Sequence, residues 1–286
     1  MEDQRAVRVL DNQKVSIDVG DSSQCFRFSA AFDCGSQEEI FSFCADAVSA
    51  ATSGENACIL AYGQSGAGKT YTMYGPDLRD ARLCGIVPRF LLALFACESI
   101  EEVSVSMLEN SFGDKLLDLL CEEAGRKPEV KLRTAKNGTT IMENVTEKRC
   151  GNANEVVNYI EQAFHKRCRE GIMMSALSSS SHMLAIFKVT CNDRMLGERR
   201  TAKIVMGDLA RSELPRRTNA EVDAQMPMCT GDMLKEAKWR NKSLTSYLNV
   251  LHAYCRGSKL IPYRDSKLTM ILKDCLKNNF TILACS

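Results

Sequence analysis

A three-layer α/β sandwich, with a central mixed β-sheet and helices on both faces, is the fold predicted for this chain of 286 residues. Three observations predict it. Strand-like and helix-like stretches alternate along the chain. One unbroken apolar run, "ACILAY", has the character of a strand covered on both sides. No Pro- or Gly-rich linker divides the sequence, so a single domain over residues 1–286 is favoured although length alone permits two. A hydrophobic content of 45% is enough to build one sizeable core.

The elements follow in order. "SQEEIFSFCADAVSAATSG" opens with the capping box Ser36-x-x-Glu39, repeats apolar residues at Ile40, Phe41, Cys44 and Val48, and stops at Gly54, which predicts one amphipathic helix. "ACILAY" follows as a strand and runs straight into a glycine-rich stretch. "VSVSML" and "MLAIFKVTC" alternate as strands do. "NANEVVNYIEQAFHKRCREG" and "DMLKEAKWRNKSLTSYLNVLHAYCRG" carry helical spacing between an Asn or Asp and a Gly. A strand-like run from Lys203 to Met206 delivers Asp208 to a loop. "ELPRRTNAEVDAQMPMCTG" has no period and two prolines, and reads as a long, mobile loop.

Composition excludes several functions. A net charge of +1 argues against a broad electrostatic grip on nucleic acid. The 14 cysteines stand singly, with no C-x-x-C, which is neither a zinc framework nor a compact disulfide scaffold. No signal core or membrane-length apolar run is present, so no membrane partner and a cytoplasmic location are expected.

The chemistry is concentrated in "GQSGAGKT". Gly63, Gln64, Ser65, Gly66, Ala67, Gly68, Lys69 and Thr70 satisfy G-x-x-x-x-G-K-[ST] directly after a strand, the context the motif requires. Glycines let backbone N–H groups converge on phosphate, Lys69 reaches the β/γ oxygens, and the Thr70 hydroxyl binds Mg²⁺. The pattern predicts a P-loop nucleotide site for ATP and Mg²⁺; the alternative is a glycine-rich turn without a ligand. Asp208, an acid at the end of an apolar strand, supplies the second element expected beside such a loop, where it can hold the metal through water. Taken alone, Asp208 also fits an ordinary strand-end turn.

These segments resemble a kinesin motor domain. "AYGQSGAGKTYTM" is similar to the family's AYGQTGSGKTYTM, "SSSSH" to SSRSH, "DLARSE" to DLAGSE, "LKEAKWRNKSL" to LxEAKxINKSL, and "IPYRDSKLTMIL" to VPYRDSKLTRLL. They come in the family's order and cover the chain from about Phe26 to its end. The resemblance implies a kinesin-like P-loop NTPase fold and microtubule-based movement on the cytoskeleton. Nucleotide state would be sensed by Ser175 to His182 and Asp208 to Glu213, and relayed through the "NKSL" helix to a microtubule. It further implies that Ser179 contacts Mg²⁺ and γ-phosphate, that Asp208 completes the metal shell, and that Glu213 helps place the attacking water. Tyr71 falls where the family stacks a ring on adenine, although a buried structural tyrosine fits the residue as well. Asn241, Lys242, Tyr263, Arg264 and Lys267 fall on or beside the microtubule surface, where basic groups would meet acidic tubulin in a salt-dependent way.

The sequence departs from the family in two loops and at both ends. The Arg of SSRSH, which pairs with the Glu of DLAGSE when the site closes, is Ser180 here, and the Asn upstream is Ser175. The glycine of DLAGSE is Arg211, which would cost roughly 1–2 kcal/mol if that position needs left-handed backbone. The family's first strand with its RxRP segment has no counterpart before "VRVLDNQKVSIDV". The chain stops at "FTILACS", before the family's final helix and neck, and it holds no heptad run, so oligomeric state is left open. The expectation is ATP binding that survives better than ATP turnover. Its rivals are a non-hydrolysing microtubule-binding module and a P-loop switch acting on another partner.

Overall fold

The computed structural model describes residues 6–20, 22–111, 113–122, 129–170, 181–193, 198–212, 231–276 and 279–286. Of the sequence-derived assignments, Ser175, Ser178, Ser179, Ser180, Glu213 and the aperiodic stretch 213–230 lie outside the described residues, as does the side chain of Asn241.

A small antiparallel sheet comes first: β1 (Val7–Val9), β2 (Lys14–Val19) and β3 (Ser22–Arg27), paired in that order. Every residue of β3 is exposed, so this sheet contributes little to the core. Next come α1 (Gln37–Ser42) and α2 (Asp46–Thr52). The capping box at Ser36 and Glu39 is formed as predicted, with both reciprocal bonds present. The single helix expected here is instead two. Phe43 closes α1, its N–H turning back to the carbonyls of Ile40 and Phe41, and the chain restarts at Asp46. The break leaves Phe43 exposed while Cys44 and Ala47 stay buried, so the apolar spacing served two short helices that share one buried side.

The central sheet is built from β4 (Ala57–Gly63), β5 (Ile100–Ser111), β6 (Lys115–Asp118), β9 (Lys148–Cys150), β10 (His182–Asp193), β11 (Glu198–Asp208) and β12 (Asn279–Cys285). Its main path runs β12-β4-β11-β10-β5-β6, with β9 pairing β5. β4 is parallel to both β11 and β12, whereas β10 is antiparallel to β11 and β5, so the sheet is mixed as predicted. A hairpin of β7 (Lys131–Thr134) and β8 (Thr140–Glu143) stands apart.

Two-residue alternation sorts the strands between the faces. Ala57, Ile59 and Ala61 of β4, with Met183, Ala185 and Phe187 of β10, pack under α1, α2, α4 (Ile86–Phe95) and α5 (Ala153–Glu170). Cys58 and Leu60, with Leu184, Ile186 and Val205, pack instead under α6 (Gly231–Cys255) and α7 (Lys267–Leu272). The fully apolar run "ACILAY" thus serves two cores at once, which is why it shows no polar face. α3 (Lys69–Tyr74) springs from the end of β4. The C-terminal ends of β4, β11 and β12 converge there, the place where open α/β sheets hold ligands.

Candidate nucleotide site

The cradle begins where β4 ends. Gly63 lies so close to β12 that a Cβ on it would meet the Cys285 carbonyl oxygen at 2.2 Å, which excludes any side chain. Gly66 and Gly68 serve a different need. Their φ angles of +75° and +79° are in the left-handed region, and a Cβ on either would meet nothing within 4 Å, so open space lies over this turn. Gln64, Ser65 and Gly66 are exposed, and Ala67 and Gly68 half-buried, as a loop that receives a ligand requires.

Lys69 is buried, and its ammonium donates to the carbonyl oxygens of Gly63 at 3.0 Å and Gln64 at 2.6 Å, which holds the charge beside the loop. Thr70 Oγ1 donates to Asp208 Oδ2 at 2.5 Å. These two residues are 138 positions apart in sequence, and a hydroxyl and a carboxylate meeting beneath a P-loop are the donor set that Mg²⁺ takes. Asp208 is 4% exposed; burial pushes its carboxyl above the ordinary carboxylate range, opposed by the Thr70 hydroxyl and by the charges of Arg167 and Lys69. A buried acid so placed gains from a cation beside it. The residues present therefore fit a nucleotide phosphate chain with Mg²⁺.

Tyr71 is 55% exposed, while its backbone carbonyl accepts from Gln37 Nε2 at 2.8 Å. The alternative of a buried structural tyrosine is thereby set aside, and the ring is available on the surface of α3.

Beyond Asp208 the chain runs alongside β4. The Leu209 N–H donates to the Ala61 carbonyl at 3.1 Å and the Ser212 N–H to the Gly63 carbonyl at 3.1 Å. Arg211, between them, is half-buried. Among the described residues only Asp114 and Asn144 are non-glycine residues with positive φ, so Arg211 carries no left-handed strain. The penalty considered for replacing glycine here does not arise in this conformation.

Two buried clusters brace the site; Ser181, His182 and Ser243 stand in the quoted motifs, but motif reading did not pair them, and it did not single out Arg167 or Glu109. His182 has no exposed surface, and its Nδ1 accepts the Ala210 N–H at 3.0 Å. Since Nδ1 accepts, the ring proton of the neutral imidazole sits on Nε2, which donates to Ser243 Oγ at 2.8 Å. One ring thus joins the start of β10, the segment after Asp208, and α6. In the second cluster Arg167, on α5, donates through Nε to Glu109 Oε1 at 3.3 Å and through Nη2 to Ser181 O at 3.0 Å. The Ser181 hydroxyl donates in turn to Glu109 Oε1 in a short hydrogen bond. His182 was visible in "SSSSH" but its pairing with Ala210 and Ser243 was not, because they come from segments 28 and 61 residues away. Nothing in the sequence around Arg167 marks it.

The residues assigned to a filament surface gather on the α6–α7 side. Lys242 and Arg264 are exposed, Tyr263 opens a 3-10 turn (Tyr263–Asp265) between the two helices, and Lys267 opens α7. Lys267 is half-buried and its ammonium donates to Glu129 at 3.1 Å, so its charge is partly engaged. No group of three or more His, Cys, Asp or Glu able to hold a metal exists among the described residues, and no helix among them is long and apolar enough to cross a membrane.

Comparison with known proteins gives a consistent result. The family model for the kinesin motor domain matches residues 2–285. The Kinesin-1 heavy chain of Homo sapiens is 34% identical over 274 residues, 92% of this chain and 27% of that protein. The Kinesin heavy chain of Syncephalastrum racemosum is 34% identical over 263 residues, 89% of this chain and 27% of that protein. The chain therefore spans about a quarter of the length of these relatives. A solved structure described as that of a fast kinesin superposes with a TM-score of 0.83 at 28% identity, covering 99% of this chain and 79% of that one.

Proposed function

Because the chain belongs to the kinesin motor domain family, we propose that it binds microtubules, takes Mg·ATP in the Gly63–Thr70 cradle, and holds that nucleotide better than it hydrolyses it. The observation that carries this reading is the meeting of Thr70 and Asp208 beneath a loop whose glycines open onto free space. Lys69 would neutralise phosphate oxygens, and Thr70, Asp208 and Ser179 would hold the metal. Bound Mg²⁺ supplies charge neutralisation to the phosphates. Glu213 would help place a water for direct attack, with no covalent intermediate. Asn241, Lys242, Tyr263, Arg264 and Lys267 would meet tubulin, placing the protein on cytoplasmic microtubules.

Weak turnover is supported by Ser180 and Arg211, which stand where the family has the closing arginine and the glycine beside the terminal phosphate. The same two residues favour the second reading, a microtubule-binding module without hydrolysis. Steady-state ATP hydrolysis and microtubule co-sedimentation, beside a Ser180→Arg, Arg211→Gly double variant, test both. The expected result is co-sedimentation with slow turnover that rises at least about tenfold in the double variant, a modest part of what a phosphate-directed arginine supplies in other enzymes. Strong microtubule-stimulated hydrolysis by the unaltered chain would overturn the weak-turnover reading. Failure to co-sediment would leave a nucleotide switch for another partner.

A further inference from the structure

One polar group beside the cradle is unaccounted for. Arg211 Nε is buried and has no hydrogen-bond partner among the described residues. Its backbone has little freedom to move it elsewhere: Ala210 is held by His182 Nδ1, and Ser212 is held by the Gly63 carbonyl. Among the described residues, the acceptors that close this end of the cradle carry other bonds. The Gly63 carbonyl takes both the Ser212 N–H and the Lys69 ammonium, the Gln64 carbonyl takes Lys69, and Asp208 Oδ2 takes Thr70. The Ser212 N–H and the Lys69 ammonium share the Gly63 carbonyl, so the chain at Arg211 passes beside the lysine of the cradle and brings a second cation to that end of it. A buried donor left without a partner is unfavourable, and an anion rich in oxygen acceptors relieves it.

We propose that Arg211 binds the terminal phosphate of a bound nucleoside triphosphate through its guanidinium, and so makes this site favour triphosphate over diphosphate. The assignment rests on the nucleotide-binding reading above and deepens it. Arg211 follows the metal-holding Asp208 by three residues, at the end of the cradle where Lys69 reaches the β/γ oxygens, so the phosphate within its reach is the last one. A diphosphate has no oxygen there for it to meet. Because the contact is made to the bound triphosphate itself, it tightens binding without by itself accelerating the chemical step.

The test is equilibrium titration of the protein, with Mg²⁺ present, by fluorescent ADP and by a fluorescent non-hydrolysable ATP analogue, in the unaltered chain and in Arg211→Gly, Arg211→Gln and Arg211→Lys. The expected result is that the ratio of the two dissociation constants shifts toward ADP by about tenfold or more in the Gly and Gln variants, as loss of a charge-assisted bond predicts. Arg211→Lys keeps most of the preference, and ADP affinity changes less than about threefold throughout. An unchanged ratio in Arg211→Gly, or tighter analogue binding, overturns the assignment while leaving nucleotide binding intact. If the unaltered chain binds neither nucleotide, the nucleotide-site reading itself fails and this one with it. Should Arg211→Gly fail to fold, the contrast between the Lys and Gln variants decides, since both keep a long side chain and only one keeps the charge.

Discussion

The two halves of the phosphate site are built on different principles. From Gly63 to Thr70 the work is done by backbone: glycines at positive φ, a loop opening onto free space, and a lysine folded along the loop that carries it. From Asp208 to Ser212 it is done by side chains brought from distant parts of the chain, with His182 holding Ala210, Ser243 holding His182, and Thr70 holding Asp208. The first half tolerates little change, because a backbone geometry has few sequences that produce it. The second half can be rewritten one side chain at a time, as at Arg211. The first half keeps its three glycines, Lys69 and Thr70 and departs from the family only at Ser65 and Ala67, so the positions its backbone geometry depends on are the ones retained.

Three substitutions bear on that contrast, in order of expected effect. Lys69→Ala removes the buried cation of the backbone-built half. It should weaken ATP and ADP binding together by roughly 2–5 kcal/mol, as truncating one partner of a buried charged contact does, read by nucleotide titration. A loss confined to ATP would break the distinction drawn here between Lys69 and Arg211. His182→Ala tests the assembled half, because it removes the acceptor of the buried Ala210 N–H and the bond to Ser243 Oγ. It should lower stability by about 2–4 kcal/mol in chemical denaturation. Combined with Ser243→Ala the loss should be less than the sum of the two, since both remove one bond. Strict additivity would show that the ring does not couple the two elements.

The smallest effect concerns Asp208. Its folded carboxyl pKa lies above the unfolded value of about 3.9, because burial disfavours the charge. The folded state therefore binds that proton more tightly, and unfolding free energy falls as pH rises from the unfolded value through the folded one. Asp208→Asn should remove this slope from a melting-temperature profile between pH 4 and neutrality, raise the nucleotide-free melting temperature at neutral pH, and weaken Mg²⁺-dependent nucleotide binding. An unchanged profile would mean that Asp208 carries no burial penalty.

How much of this was legible in the sequence follows from the same division. The P-loop, its strand and the capping box at Ser36 depend on neighbours a few residues apart, and each appears where the motif predicted. The alternation of β4 was hidden because both of its faces are apolar, yet the unbroken run itself signalled burial on both sides. The split between α1 and α2 was missed because apolar spacing records which side is buried and is silent about where the axis turns. The Thr70–Asp208 contact was anticipated only by pairing two motifs. The brace around His182 and the Arg167–Glu109–Ser181 cluster were not anticipated at all, since their members meet only after the sheet has formed.

The bond from His182 to Ser243 has a mechanical corollary. Ser243 is the middle residue of the 25-residue α6, with 12 residues on either side. A rod of about 37 Å fastened at its centre resists sliding and yields to rotation. A rotation of about five degrees about that point would carry the two ends roughly 1.6 Å each in opposite directions, given about 18 Å of helix on each side. The half beyond Ser243 is also seated in the core through Leu244, Tyr247 and Val250, so such a rotation would have to carry that packing with it. The centre of the rod stands two hydrogen bonds away from Ala210, and its C-terminal half runs toward the face that carries the exposed Arg264.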